Sequence, residues 1–488
     1  MNMNIKNILT VVMTFVMGFA LQSCSDDDNN GSATSITVSK DGDVVDELVF
    51  NMQANSTIIG VYADGDWTAQ SSDDSWLTLS NHAGYADTLN TTYTKVSVTK
   101  NEGATRQGTI TIASGGLTKV INVTQKGNET DEGDPFEDAF TFVKNLRVGY
   151  NLGNTLEANP DINTATWIDF SKGTEAWETA WGQPVTTQEI IDDIAAKGFN
   201  IIRVPVTWYP HMDADGNVDA AWMDRVQQVV DMVLSTGCYC VINVMHDSGA
   251  KDAARLDDAG WLRADMESYA TSSVRFKKLW QQIATRFKDY DQKLLFEAFN
   301  EILNSQYSWT APIAGSTDYE AIRLLEQDFV DVVRATGGNN EWRNLVITTY
   351  AATTSQDAID ELAVPNDVHA NHLVCSLHTY DPYNFCNDNG EWNIKVFDSS
   401  CEQEIDNLTL RVDKRFAQLG IPYFYGEFGA IDTGKDMNER VKYAAYIAKK
   451  MTSYGTTGLW WMGLYDRKTR QWTEPDIVNQ LMSAFPAK

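Results

Sequence analysis

The segment LLFEAFNEI, residues 294–302, has the apolar density of a buried strand, yet it carries two acids four residues apart, Glu297 and Glu301. A carboxylate in such a run is costly unless it is paired or does chemistry. Side chains alternate along a strand, so the two acids would share a face, with Glu301 at the end and Glu297 two inward positions deeper. The deeper acid needs a partner, and Arg203 in FNIIRVPV is a candidate. A third acid, Glu427, lies next to last in the run PYFYGEF. Paired carboxylates flanking a bond are what glycoside hydrolysis requires, one to protonate the leaving oxygen and one to attack or to activate water. Acids of this kind could also hold a metal, but Arg203 and several tryptophans suit a sugar held against aromatic faces better than a hard cation.

These residues sit in near-continuous apolar runs, as expected of parallel strands buried on both faces. Eight strands are predicted, over 146–152, 201–206, 239–246, 294–300, 345–349, 373–380, 423–427 and 458–462. Helical segments lie between them. Over 220–235, for example, Trp222, Met223, Val226, Val229, Val230 and Val233 recur at helical spacing, with Asp219 as a possible N-cap and Gly237 past the end. Eight β/α units in about 350 residues predict an α/β fold, a (β/α)8 TIM barrel whose active site lies where the strands end. Reading those ends gives Asn151 and Asn154, Arg203 and Trp208, His246, Asn300 and Glu301, His378 and Tyr380, Glu427, then Trp460 and Trp461. This is a polar and aromatic ring; a purely structural layer would be Val, Ile and Leu.

FNIIRVPVTW, VINVMHD, FEAFNEI, HTYDP, YFYGEFGA and GLWWMG, in that order, resemble glycoside hydrolase family 5 across residues 135–488. YNLGNTLEA and ETAWGQP are similar to its subfamily of endo-β-1,4-glucanases with many xyloglucan-active members. The eighth strand there often reads Trp-Trp-Asp-Asn-Gly, whereas this chain has Trp460, Trp461, Met462 and Gly463, without the acidic neighbour. The resemblance implies a retaining barrel with Glu301 as general acid/base and Glu427 as nucleophile, Arg203 keeping Glu427 ionised and Tyr380 orienting it. It further implies that Asn300 and His246 bind sugar hydroxyls and that His378 and Trp461 line the same subsite. Asn154, Trp181 and Trp208 are further substrate-binding candidates, as is Trp261, and the loop 381–400 with Tyr383, Phe385 and Trp392 could wall the cleft. The expected activity is hydrolysis of internal bonds in a plant β-glucan: xyloglucan, mixed-linkage glucan or cellulose. Alternatives are the same chemistry on mannan or xylan, or a non-catalytic glycan-binding protein on a degraded barrel. The presence of both glutamates argues against the last. No cofactor and no metal are expected.

The chain has 488 residues, 43% of them hydrophobic, and a formal net charge of −29. That charge repels phosphate backbones, so nucleic acid is not an expected partner. A monomer is expected. Lys6 is the single charge before an apolar run over 8–21, shorter than the roughly 20 residues of a membrane span and suited to a signal peptide over 1–23. LQSC resembles a bacterial lipobox, which implies lipidation of Cys24 and a membrane anchor, and SDDDNN resembles the acidic tract that sends Bacteroidetes lipoproteins to the cell surface. An outer-membrane, surface-exposed lipoprotein is the expectation. Of the other cysteines, Cys238, Cys240 and Cys375 read as buried apolar residues, Cys386 and Cys401 could pair, and no Cys/His spacing resembles a zinc site.

Residues 33–127 follow a different period. SITVS, STIIGVYA, TKVSVT, GTITIA and KVINVTQ alternate apolar and polar residues, which predicts a small antiparallel, immunoglobulin-like β-sandwich. GDWTAQSSDDSWLTLS, ATRQGTITI and INVTQKG resemble the BACON domain. That resemblance implies carbohydrate binding, with Trp67 and Trp76 as conceivable platforms; alternatively both are core and the module is a spacer. The acidic stretch 128–134 reads as a linker before the barrel of 135–488.

Overall fold

The computed structural model of the protein describes residues 35–40, 43–50, 52, 54–85, 91–101, 103–127, 135–248, 261–387, 390–461 and 463–486. The expected signal segment, Cys24, the linker 128–134 and Met462 lie outside them.

The N-terminal region forms two five-stranded sheets. One runs Asp43–Val44, Ile36–Lys40, Asn55–Ala63, Thr92–Val98, Leu77–Leu79; the other runs Glu47–Phe50, Leu117–Gln125, Arg106–Ser114, Trp67–Ser71, Ala83–Gly84. Alternation sends Val38, Phe50, Ile59, Val61, Ile110, Ile112, Ile121 and Val123 into one shared core. The sandwich is not wholly antiparallel, because Glu47–Phe50 pairs parallel with Leu117–Gln125. Trp67 and Trp76 are 2% and 5% exposed within that core, so neither presents a face to a sugar.

The second region is a closed barrel of eight strands in sequence order: β1 (Gly149–Asn151), β2 (Ile201–Val204), β3 (Tyr239–Asn243), β4 (Leu294–Glu297), β5 (Leu345–Thr353), β6 (Leu373–Thr379), β7 (Tyr423–Phe428) and β8 (Gly458–Trp461). Their helices are α1 (Gln188–Lys197), α2 (Ala220–Ser235), α3 (Met266–Arg286), α4 (Thr317–Ala335), α5 (Gln356–Glu361), α6 (Ser399–Leu419), α7 (Met437–Ser453) and α8 (Pro475–Ala484). α2 shows why such segments fold as they do. Its six periodic apolar residues are all buried, the Asp219 side chain accepts from Trp222 N at 3.0 Å, and Gly237 beyond its end has φ 82°.

The barrel interior is layered by the two-residue period. Ile201, Val241, Leu295, Val346, Val374, Phe424 and Leu459 form an apolar lower layer with Phe142 of the short helix Ala139–Asn145, whose ring meets Tyr239 edge-on at 5.1 Å and Phe424 at 6.2 Å. Two residues further along the first four strands the inward positions turn polar: Asn151, Arg203, Asn243 and Glu297. This change of layer sets the height of the site.

Candidate active site

Arg203 organises the polar layer. It is fully buried, and its Nε donates to Glu297 Oε2 at 2.7 Å, Nη1 to Asn151 Oδ1 at 3.1 Å and to Glu427 Oε1 at 2.9 Å, and Nη2 to Asn300 Oδ1 at 2.8 Å. Burial opposes its charge, but Glu297 and Glu427 outweigh that and raise its pKa, so the guanidinium stays protonated. Glu297, 1% exposed, also accepts from Asn243 Nδ2 at 3.0 Å; Asn243 Oδ1 in turn accepts from Val206 N at 3.1 Å. The inner acid of LLFEAFNEI is thus satisfied by the arginine suggested for it.

Glu301 does not stand on the strand itself. β4 ends at Glu297, and the chain continues through a bend held by Ala298 N to Val346 O and Asn300 N to Val244 O, both at 2.9 Å. Beyond the bend Glu301 Oε1 meets His378 Nδ1 at 2.8 Å. Across from it, Glu427 Oε2 accepts from the Tyr380 hydroxyl at 2.8 Å and lies 3.7 Å from His378 Nδ1.

Glu427 reaches the interior through a break in alternation. Phe424 points inward, so regular pleating would turn Glu427 outward; instead the β6/β7 register shifts, with Leu377 opposite Tyr425 but His378 opposite Glu427. Gly426 is the extra residue. A Cβ there would lie 2.1 Å from Ser376 Oγ, so any side chain would force the serine to move where β7 crowds β6.

Electrostatics divide the groups. Burial raises the pKa of Glu427, against the opposing pull of His378 and Arg203, with Glu301 adding to the rise. Arg203 was expected to keep this carboxylate ionised; it does oppose protonation, but desolvation is the larger effect. His378 is pushed down by burial, yet Glu427 and Glu301 together leave it raised. His246 is lowered to about 4 by burial, so its ring is neutral at pH 7. One ligating atom each of Glu301, His378 and Glu427 lie within 4.8 Å of one another. Both Glu427 oxygens already accept, from Arg203 and from Tyr380, so this carboxylate is engaged by the protein itself.

Around this centre, Trp461 is half-buried at the end of β8, with its neighbour Trp460 turned into the core. Trp181, 37% exposed, packs edge-on to His246 with ring centroids 5.4 Å apart. Asn154 is half-buried at φ 57° in the turn after β1, its backbone N–H donating to Glu157. Trp208 is a correction: it is fully buried, with Nε1 donating to Asn243 O at 2.9 Å, and offers no face to a sugar. Trp261 is half-buried, its Nε1 donating to Asp247 Oδ1 at 2.7 Å, with the Arg275 guanidinium over one face at 4.7 Å from the ring centre. In the loop after β6, Tyr383 and Trp392 are 56% and 71% exposed, whereas Phe385 is buried against Phe397 and Tyr443. Cys386 and Cys401 are both buried free thiols rather than a pair.

Asn243 and Gly426 were missed by sequence reasoning. A lone amide two residues after Val241 in CYCVINVM was the signal for the first, and an isolated glycine within a strand was the signal for the second.

Residues 162–464 match the family described as Cellulase (glycosyl hydrolase family 5). The chain belongs to glycoside hydrolase family 5. Residues 65–126 match BACON, described as a putative binding domain, N-terminal. Endoglucanase A of Ruminococcus albus is 32% identical over 363 residues, covering 70% of this chain and 92% of that protein. The cellulase/esterase CelE of Acetivibrio thermocellus is 35% identical over 363 residues, covering 70% of this chain but only 40% of that protein. Among solved structures, a family 5 enzyme from Prevotella bryantii B14 in complex with a xyloglucan tetradecasaccharide is 38% identical with a TM-score of 0.64, covering 72% of this chain and 99% of that one. The family 5 barrel therefore accounts for the strand order and for the polar mouth above the apolar layer.

Proposed function

We propose that the protein is a retaining endo-β-1,4-glucanase that cuts internal glucosidic bonds of plant β-glucans such as xyloglucan, mixed-linkage glucan or cellulose. The approach of Glu301 and Glu427 carries this reading: one carboxylate oxygen of each lies within 4.8 Å of the other, and His378 Nδ1 lies 2.8 Å from the first acid and 3.7 Å from the second. Retention needs carboxyl groups about 5–5.5 Å apart and inversion about 6.5–9.5 Å, the larger gap leaving space for a water. In the first step a Glu427 oxygen attacks the anomeric carbon, the glycosidic C–O bond breaks, and the leaving oxygen takes the Glu301 proton. In the second, Glu301 as carboxylate takes a proton from water, the water oxygen attacks the anomeric carbon, and the ester bond to Glu427 breaks.

The surrounding residues take matching roles. Arg203 and Tyr380 hold one oxygen each of Glu427, fixing its attack direction, and His378 spans the two acids. Asn300 Oδ1 accepts from Arg203, which leaves the Asn300 NH2 for the sugar 2-OH. Neutral His246 contacts a neighbouring hydroxyl, and Trp461 and Trp181 support sugar faces, with Asn154 beside them. The endoglucanase relatives and the xyloglucan-bound neighbour support a glucan as substrate.

The test compares the parent with Glu427→Gln on a panel of β-glucans, mannan and xylan, reading reducing ends and the first anomer by NMR. Parent activity with the β-anomer formed first is expected. A variant as fast as the parent would overturn the assignment, an α-anomer formed first would mean inversion, faster release from mannan or xylan would move the substrate, and silence on every polymer would favour a binding protein.

The protein is further proposed to act as a monomer at the cell surface, anchored through lipid on Cys24, with the sandwich as spacer. Support comes from Lys6, the apolar run over 8–21 and LQSC, and from the burial of Trp67 and Trp76. Cys24→Ala should move the protein from the membrane to the soluble fraction; retention in the membrane would sink the anchor.

A further inference from the structure

Tyr307 and Trp309 are 52% and 56% exposed and lie edge to face, with ring centroids 6.3 Å apart and planes at 77°. Neither has a part in the chemistry above. They belong to the stretch 302–316, which leaves the barrel directly behind Glu301 and leads to α4.

This loop is built rather than slack. Asn304 Oδ1 accepts from Gln306 N at 3.1 Å and Ser308 N at 3.2 Å, and its Nδ2 donates to Asp318 Oδ2 at 3.0 Å. Tyr350 of β5 accepts from Asn304 N at 3.2 Å and donates its hydroxyl to Ser308 O at 2.6 Å. Tyr307 sits at φ 59°, in the left-handed region that a ring-bearing residue avoids. Braces and strain together hold two large, half-exposed aromatic rings, edge to face, on the loop that follows Glu301. A single exposed aromatic needs no explanation, but an adjacent pair fixed this way marks a contact surface.

We infer that Tyr307 and Trp309 form a platform for the leaving portion of the glucan chain, the glucosyl units on the reducing-end side of the scissile bond. The inference rests on the proposed role of Glu301. An acid that protonates the leaving oxygen stands on the leaving side, and the pair is carried by the same segment as that acid and braced on β5. Trp181, after β1, and Trp461, at the end of β8, stand on the opposite side of the closed barrel from β4 and β5 and serve the other end of the chain. The occupant is a hexopyranose chain because its C–H faces pack on aromatic rings while its hydroxyls stay in water.

The test uses the full chain with Trp309→Ala, Tyr307→Ala and the conservative Trp309→Phe. Two substrates are compared, cellohexaose and 2,4-dinitrophenyl β-cellobioside, whose leaving group is a phenolate and brings no leaving-side glucosyl unit. kcat/KM on cellohexaose should fall about tenfold more than on the aryl glycoside, a difference of about 1.4 kcal/mol. Trp309→Phe should restore most of it. Capture of the glycosyl-enzyme by added cellobiose, which must bind the same platform, should fall in parallel. Equal falls on both substrates, or none on cellohexaose, would overturn the platform alone. A parent inactive on both would overturn the hydrolase reading and this inference with it.

Discussion

Replacing Glu297 by glutamine tests whether the inner acid of LLFEAFNEI supports the site or reacts in it. Glu297 is 1% exposed and holds the fully buried Arg203 through a 2.7 Å ion pair. Removing one partner of a buried pair costs about 3–5 kcal/mol. Glutamine keeps an acceptor for Arg203 Nε, and Glu427, Asn151 and Asn300 still engage the guanidinium, so the low end, about 3 kcal/mol, is expected. With an unfolding entropy of about 0.7 kcal/mol/K for a domain of roughly 350 residues, that lowers Tm by about 4 °C. A second consequence is electrostatic. Arg203 is shared between Glu297 and Glu427, so without the Glu297 charge it serves Glu427 alone and favours its ionised form. The acid limb of kcat/KM, where the proposed nucleophile Glu427 must shed its proton, should move to lower pH. Glu301→Gln should behave oppositely, losing about 10²- to 10⁴-fold in turnover with little change in Tm, and sparing the glycosylation step with a dinitrophenyl leaving group that needs no acid. Scanning calorimetry and pH-rate profiles on both variants decide. If Glu297→Gln kills turnover at unchanged Tm while Glu301→Gln stays active and melts early, the reasoning is refuted.

Gly426→Ala puts a methyl carbon 2.1 Å from Ser376 Oγ, beside the bulge that turns Glu427 inward; a loss of about 1–3 kcal/mol in denaturant unfolding is expected, with kcat falling more than KM rises. Full activity would show that the bulge tolerates a side chain. Glu157 is fully buried and its pKa is raised to about 7 by burial, so the folded state keeps a proton the unfolded state has lost, and the stability it lends is lost as pH rises from about 4.5 to about 7. Tm of Glu157→Gln should therefore depend less on pH than the parent over that interval, and parallel slopes would contradict this. Trp208→Phe removes the bond to Asn243 O and should cost about 1–2 kcal/mol in stability with KM for β-glucan little altered, whereas Trp181→Ala should raise KM at unchanged stability; the converse pairing would restore Trp208 as a sugar contact.

What could be read from the sequence divides along physical lines. Eight runs of apolar residues between amphipathic helices suffice for a barrel, because burial on both faces leaves a signal that local detail does not blur. Polar residues inside such runs stand out for the same reason, which is how Arg203, Glu297 and Glu427 became candidates. Pairing direction carries no such signal, so the parallel partnership of Glu47–Phe50 with Leu117–Gln125 was invisible. Exposure of a tryptophan is similarly unreadable: Trp208 and Trp181 look alike in sequence, and only the fold turns one into the core and leaves the other at the rim. Period-two reasoning erred most usefully at the two glutamates. It placed Glu301 on the strand and would have turned Glu427 away from Phe424, yet a bend after Glu297 and a bulge at Gly426 bring both carboxylates to His378. Regular strands are what hold the arginine and its support, Asn151, Arg203, Asn243 and Glu297, in strict register. The two acids that approach each other lie where that register fails: Glu301 beyond the bend that ends β4, and Glu427 beside the bulge at Gly426, which turns inward a residue that regular pleating would point outward.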